Sequence, residues 1–228
     1  MVRVKASPRL KKFNWLLLLV HLGALFPLAW FAWDFWQGNP GVIVNPFQAA
    51  TLRTGKPALI LLILSLACTP ANTLFGFRKA LTVRKTLGLY AFFYVCIHFL
   101  IFIVDNGLFG NHIEIPPILA ATFEKQFAFV GFAAFLILLP LAITSTRGWM
   151  KRLGKNWKRL HRIVYAAGIL AIFHYIWLVK SDYREPLVYG LILALLLVVR
   201  LPYLRKRISQ TRSRLVGTGR HRKPAASS

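Results

Sequence analysis

The sequence predicts an all-α membrane protein, a bundle of six transmembrane helices with both termini cytoplasmic. Three observations predict it. Hydrophobic residues make up 57% of the 228, they gather into long runs broken by polar segments, and the basic residues collect in every second break. A spanning helix needs about 20 apolar residues, because only a closed backbone ladder crosses hydrocarbon without unpaired polar groups. Such runs lie at Trp15 to Trp33, Ala58 to Ala71, Leu87 to Val104, Phe127 to Ile143, Ile163 to Val179 and Leu187 to Leu204.

The first run outlasts a signal-peptide core and has no small-residue cleavage site before Asp34, so it is expected to stay in the membrane. The second is the shortest and breaks at Pro70. Dropping it would put the two neighbouring basic loops on opposite sides of the bilayer. The third and fifth runs each hold a histidine, the fourth is uninterrupted by charge, and the sixth leads into a basic tail. The chain divides into a basic cytoplasmic N-terminus (1–13), the helical domain (14–204) and a tail (205–228) of Arg, Ser, Gly and Pro, predicted to be disordered.

Net charge is +24. Of 30 Lys and Arg, five precede the first run, four lie between Arg78 and Lys85, seven between Arg147 and Arg162, and nine from Arg200 onward. The remaining five share the opposite loops with all six acids: Asp34, Asp105, Glu114, Glu124, Asp182 and Glu185. Positive-inside topology and contact with anionic lipid account for this pattern. No base-reading motif interleaves the cations, so nucleic acid is excluded as a partner. Cys68 and Cys96 fall at different depths and read as apolar packers. Neither an internal repeat nor a GxGxxG fingerprint occurs, so the chain is expected to have no nicotinamide dinucleotide domain.

His98 lies six residues before the outer end of its run, and His174 five before the end of its own. Both runs point outward, so the two imidazoles share one depth to within about one turn, roughly 5 Å. Alone, either reads as a buried histidine bonded to a neighbouring helix. Together they suit the two axial positions of an electron-transfer haem, and coordination would remove the cost of burying two polar rings. His161 opens the fifth run about 19.5 Å nearer the cytoplasm. It ligates a second, inner haem, touches a quinone, flavin or propionate, or simply snorkels to water. An inner partner on the third run would stand near Arg84 and Lys85, which instead offer charge to propionates or flavin phosphate. His21 reads as an interhelical hydrogen bond, and His112 and His221 as solvated.

Arg84, Leu87, Gly88, Leu89, Phe93 and His98 carry a resemblance, together with Thr144, Ser145, Leu153, Gly154, Trp157, Leu160, His161, Tyr165, His174, Tyr175, Trp177 and Lys180. With the segment His21 to Leu28, they closely resemble the MsrQ (YedZ-type) family, within the ferric reductase-like transmembrane proteins, from about Trp15 to Tyr203. The resemblance implies haem b, one or two per chain, and FMN. It implies electrons drawn from the quinone pool and passed across the bacterial inner membrane to a periplasmic molybdopterin subunit, MsrP, which reduces methionine sulfoxide in oxidised proteins. It carries His98, His161 and His174 over as the important histidines. Larger superfamily members add a flavin-nucleotide reductase domain and a second histidine on the third helix, so a separate electron donor is expected here.

The chain therefore reads as a non-catalytic electron-transfer subunit, with the outer segments Asp34 to Lys56 and Asp105 to Gln126 as the dock. Two other readings are a stand-alone ferric or quinone oxidoreductase and a transporter relaying protons through its histidines. Against the transporter, the third and fifth runs hold no carboxylate.

Overall fold

The computed structural model describes residues 14–109, 112–179, 181–201, 203–204 and 210. The basic segment 1–13, Lys180, His221 and nearly all of the tail expected to be disordered lie outside the described residues. Helix α1 (Trp15–Trp36) is followed by a single turn, α2 (Pro40–Ile43), then α3 (Pro46–Phe75) and α4 (Arg78–Gly107). A two-residue hairpin, β1 (Leu108–Phe109) with β2 (His112–Ile113), leads to α5 (Ile115–Glu124) and α6 (Gln126–Ile143). Next come α7 (Arg147–Leu153), α8 (Lys155–Leu160), a 3-10 turn (His161–Ile163), α9 (Val164–Leu178) and α10 (Arg184–Val199).

Among the described residues, five segments are long and apolar enough to cross a membrane: α1, α3, α4, α6 and the stretch Lys155–Leu178. The last expected span is represented by α10, which has 16 residues and is shorter than these five. Caps set the ends. Asn45 accepts from the Gln48 amide at 3.1 Å with Pro46 in the first turn of α3, and Gly76, at φ 70°, closes that helix in the left-handed conformation. Only Phe77 then separates it from α4, so the two helices return antiparallel and pack along their length, as α6 does with α9.

Helix α3 is the central one. Leu59, Leu62 and Leu66 pack at the core with Leu87, Leu138 and Ile172. Ala91 and Ala167, almost wholly buried, let neighbouring backbones approach. The outward faces are apolar. Leu19, Leu22 and Phe26 of α1 and Leu187, Leu191 and Leu195 of α10 are exposed, which is unfavourable in water and expected against lipid. Trp30, Trp33 and Trp36 are exposed toward one end of α1 and Trp15 at the other, the placement expected of interfacial aromatics. All six acids stand at the Trp36 end, hereafter the acidic end.

Several boundaries differ from the sequence reading. Helix α3 begins at Pro46 rather than Ala58 and passes through both Pro57 and Pro70. Its charged first turns are compensated by other helices: Arg53 pairs with Asp34 at 2.5 Å, and Lys56 with Glu185 at 2.8 Å. At Pro70 the missing N–H deprives the Leu66 carbonyl of its helical donor, and the Arg200 guanidinium donates to it instead. Helix α4 begins at Arg78, so Arg84 and Lys85 lie within the helix and not ahead of it. The expected outer loops are partly helical, holding α2 with the start of α3 on one side and the hairpin with α5 on the other.

Candidate functional site

His98 on α4 and His174 on α9 face each other with ring centroids 6.0 Å apart and planes at 90°. Both line a cavity of about 590 Å³ whose walls include Leu59, Leu62, Phe99, Phe132 and Phe135. Each ring is held through Nδ1 by a main-chain carbonyl of a third helix: His98 donates to Thr51 at 3.1 Å, and His174 to Phe127 at 2.7 Å. The Thr54 hydroxyl lies 3.4 Å from His98 Nδ1. Because Nδ1 carries the proton, Nε2 keeps its lone pair in both rings, and no described residue bonds to either Nε2.

One local device serves both rings. Four residues beyond each anchoring carbonyl, and so one turn along the same helix face, stands a glycine: Gly55 after Thr51 and Gly131 after Phe127. A Cβ at Gly55 would lie 3.1 Å from the His98 ring, and one at Gly131 only 2.6 Å from His174 Nδ1. The imidazoles therefore rest directly on bare backbone. Thr51, Gly55 and His98 each precede Phe127, Gly131 and His174 by 76 residues. No repeat is legible in the residues, but the two helix pairs α3–α4 and α6–α9 use the same carbonyl–glycine–imidazole arrangement twice.

A second cavity, about 330 Å³, lies toward the basic end and is lined by Arg84, Lys85, Gly88, Trp157 and His161. The offset of 76 also relates Lys85 to His161, so a lysine stands at the position that corresponds by count to this imidazole. The Thr144 hydroxyl donates to the Pro140 carbonyl at 2.6 Å, so it accepts from His161 Nε2 at 3.1 Å. Trp157 stacks on His161 with centroids 4.1 Å apart and donates its indole N–H to the Thr144 carbonyl. Arg84 donates to Thr69 at 3.2 Å. The two cavities share Leu62 and Leu138 as walls, and Phe92 of the second stacks on Phe135 of the first at 6.1 Å.

The model of the ferric reductase like transmembrane component matches residues 54–172. Relatives called protein-methionine-sulfoxide reductase heme-binding subunit MsrQ align over most of the chain. The one from Xanthomonas axonopodis pv. citri is 45% identical over 184 residues, covering 78% of this chain and 82% of the relative. That from Xanthomonas campestris pv. campestris is 43% identical over 210 residues, covering 90% and 91%. That from Rhodospirillum rubrum is 44% identical over 194 residues, covering 84% and 90%. The chain belongs to the MsrQ family.

Within this MsrQ-family chain, the span matched by the ferric reductase model takes in His98 and His161 and stops two residues before His174. Of the other histidines, His21 bonds Tyr90 at 2.7 Å, linking α1 to α4, and His112 is exposed beside Glu114. Cys68 and Cys96 are free thiols. Sequence reasoning missed Thr51, Thr54 and Gly55, because it put them in a loop. It also passed over Phe127 and Gly131 in the fourth run. A glycine inside an apolar helix, which costs about 1 kcal/mol against alanine, was the available signal.

Proposed function

We propose that this chain is the haem b-binding electron-transfer subunit of a protein-methionine-sulfoxide reductase system. In this reading six spans cross the bacterial inner membrane, both termini are cytoplasmic, and the acidic end faces the periplasm. Electrons from the quinone pool enter at the basic end and leave at the acidic end for a molybdopterin subunit of the MsrP kind.

One observation carries the proposal: two imidazoles, each with Nδ1 tied to backbone and Nε2 free, stand 6.0 Å apart across an apolar cavity. Two neutral imidazoles at that separation, each with Nε2 unbonded by the described residues, are the donor type that iron in a haem takes. The donor set and the apolar cavity therefore fit one haem that His98 and His174 would hold together. When bound, that haem would supply reversible one-electron chemistry. His98 and His174 would hold it through their Nε2 atoms. The Thr51 and Phe127 carbonyls fix their tautomer and raise their basicity. Apolar walls exclude water, and the glycines leave the rings room to lie flat.

At the basic end, Arg84, Lys85 and His161 meet the electron donor. The two cations attract an anionic group, such as a flavin phosphate of the FMN that the family resemblance implies, or a propionate of an inner haem. His161, held by Thr144 and stacked on Trp157, offers an imidazole to a quinol or to that second haem. The Phe92–Phe135 stack keeps the distance between the two cavities short.

The test is spectroscopic. Purified chain should show b-type bands that quinol reduces and that an MsrP-type subunit with methionine sulfoxide re-oxidises. Bands that quinol cannot reduce would remove the proposed donor, and failure of the molybdopterin subunit to re-oxidise them would remove the proposed acceptor.

A further inference from the structure

The larger cavity changes character along its length. Its floor is apolar, with Leu62, Ala91 and Leu138, whereas its mouth at the acidic end is polar, with Asn45, Gln48, Asp105, Asn106, Thr122 and Lys125. Asn106 lies eight residues beyond His98 on unbroken α4, about 12 Å along the axis. Lys125 caps α6, six residues before the Gly131 that cradles His174.

Donors at this mouth are not equally available. Asn106 gives its amide to the Phe102 carbonyl at 2.9 Å and accepts from Lys125 Nζ at 3.3 Å, while the Thr122 hydroxyl is spent on Ile118 at 2.7 Å. Gln48 accepts from Asn45 through Oε1 at 3.2 Å, which leaves its amide N–H groups without a described partner. Lys125 keeps two of its three ammonium protons, and it is the only lysine or arginine among the described lining residues. Asp105, also on the mouth, is exposed, as are Lys125 and Gln48, so solvent screens the acid and the ammonium alike.

We propose that Lys125, with Gln48 on the facing wall, receives the carboxylates of the porphyrin held by His98 and His174, and so fixes its rotation in the plane. The inference rests on the haem reading of that site. A b-type porphyrin carries both propionates on one edge. Turning that edge to the floor would bury carboxylates against the apolar side chains of Leu62, Ala91 and Leu138, which among the described lining residues offer no donor, and this is strongly unfavourable. Turned to the mouth, they meet an ammonium, a free carboxamide and the N-terminus of an 18-residue helix. One polar end in an otherwise apolar cavity thus selects one of the rotations that two axial imidazoles alone would allow.

The experiment reconstitutes full-length apoprotein with haem b or with its dimethyl ester, in which both carboxylates are capped. Wild type should bind the ester at least tenfold more weakly than haem b. Lys125→Met should lose most of that discrimination while keeping the low-spin bands, and Lys125→Arg should restore it. Lys125→Met should also make the midpoint potential more negative, since a nearby positive charge favours the ferrous state. Equal binding of the two porphyrins by wild type, or undiminished discrimination in Lys125→Met, with low-spin bands intact, would overturn the orientation alone. Absence of low-spin bands dependent on His98 and His174 would sink the haem reading, and the orientation with it.

Discussion

The two cavities place a histidine of the same helical segment in opposite circumstances. His174 is locked through Nδ1 to a helix carbonyl, flattened on Gly131 and matched by His98 across apolar space. His161 is held through Nε2 by a threonine, stacked on an indole and faced by Arg84 and Lys85. The 76-residue offset makes the contrast sharper, because Lys85 stands at the position that corresponds to His161. Symmetric pairing of neutral donors is kept at the acidic end and lost at the basic end. The first arrangement suits a fixed metal centre, the second a site that meets anionic or exchangeable molecules.

The largest effect is expected from the two histidines proposed to hold the haem. His98→Ala or His174→Ala should abolish the reducible b-type bands of the acidic-end haem, whereas His161→Ala should retain them. Haem content per chain measures this, and full retention in either of the first two variants would refute the pairing.

Next in size are the cradles. Gly131→Ala drives a Cβ to 2.6 Å from a ring atom and should cost most of the bound haem. Helix propensity improves by about 1 kcal/mol in the same substitution, so the loss would not reflect a weaker helix. Gly55→Ala, with its contact at 3.1 Å, should cost less than Gly131→Ala, because the His98 ring need shift only a few tenths of an ångström. Titration of each apoprotein with haem ranks them, and the reverse order would show that backbone clearance does not control the site.

At the basic end, His161→Ala, or Arg84→Gln with Lys85→Met, should slow haem reduction by quinol about tenfold, a differential interaction of roughly 1.4 kcal/mol. Stopped-flow reduction monitored at the haem bands checks it. Unchanged rates would mean that electrons enter elsewhere.

The smallest effect is expected at the exposed Lys56–Glu185 pair, which ties α3 to α10. Lys56→Met should alter thermal stability by less than about 1 kcal/mol and leave the haem spectrum unchanged. A large spectral change would show that this pair sets the spacing of the histidine rings.

The histidines and their depth were legible in the sequence because hydropathy counts residues from a membrane surface, and a helix converts that count directly into height. What holds the rings was not. Arg53, Lys56 and Pro57 ended the second apolar run on paper, yet Asp34 and Glu185 reach in from other helices to pair the charges. The helix accordingly runs back to Pro46 and carries Thr51 and Gly55 into the site. Helix α4 was likewise cut short, because its first turns are basic and extend beyond the apolar core while remaining helical. Interhelical compensation, and the match between a carbonyl on one helix and an imidazole on another, are tertiary facts with no local signature. The 76-residue correspondence was hidden for the same reason, since it is preserved in a few contact positions and not in the residues between them.

Near-infrared magnetic circular dichroism of the purified ferric protein tests the central claim most directly, because its charge-transfer band reports the identity of both axial ligands. A bis-imidazole band in wild type, lost in His98→Ala and in His174→Ala, is the result expected. A high-spin spectrum, or the band of imidazole paired with an amine, would contradict the account.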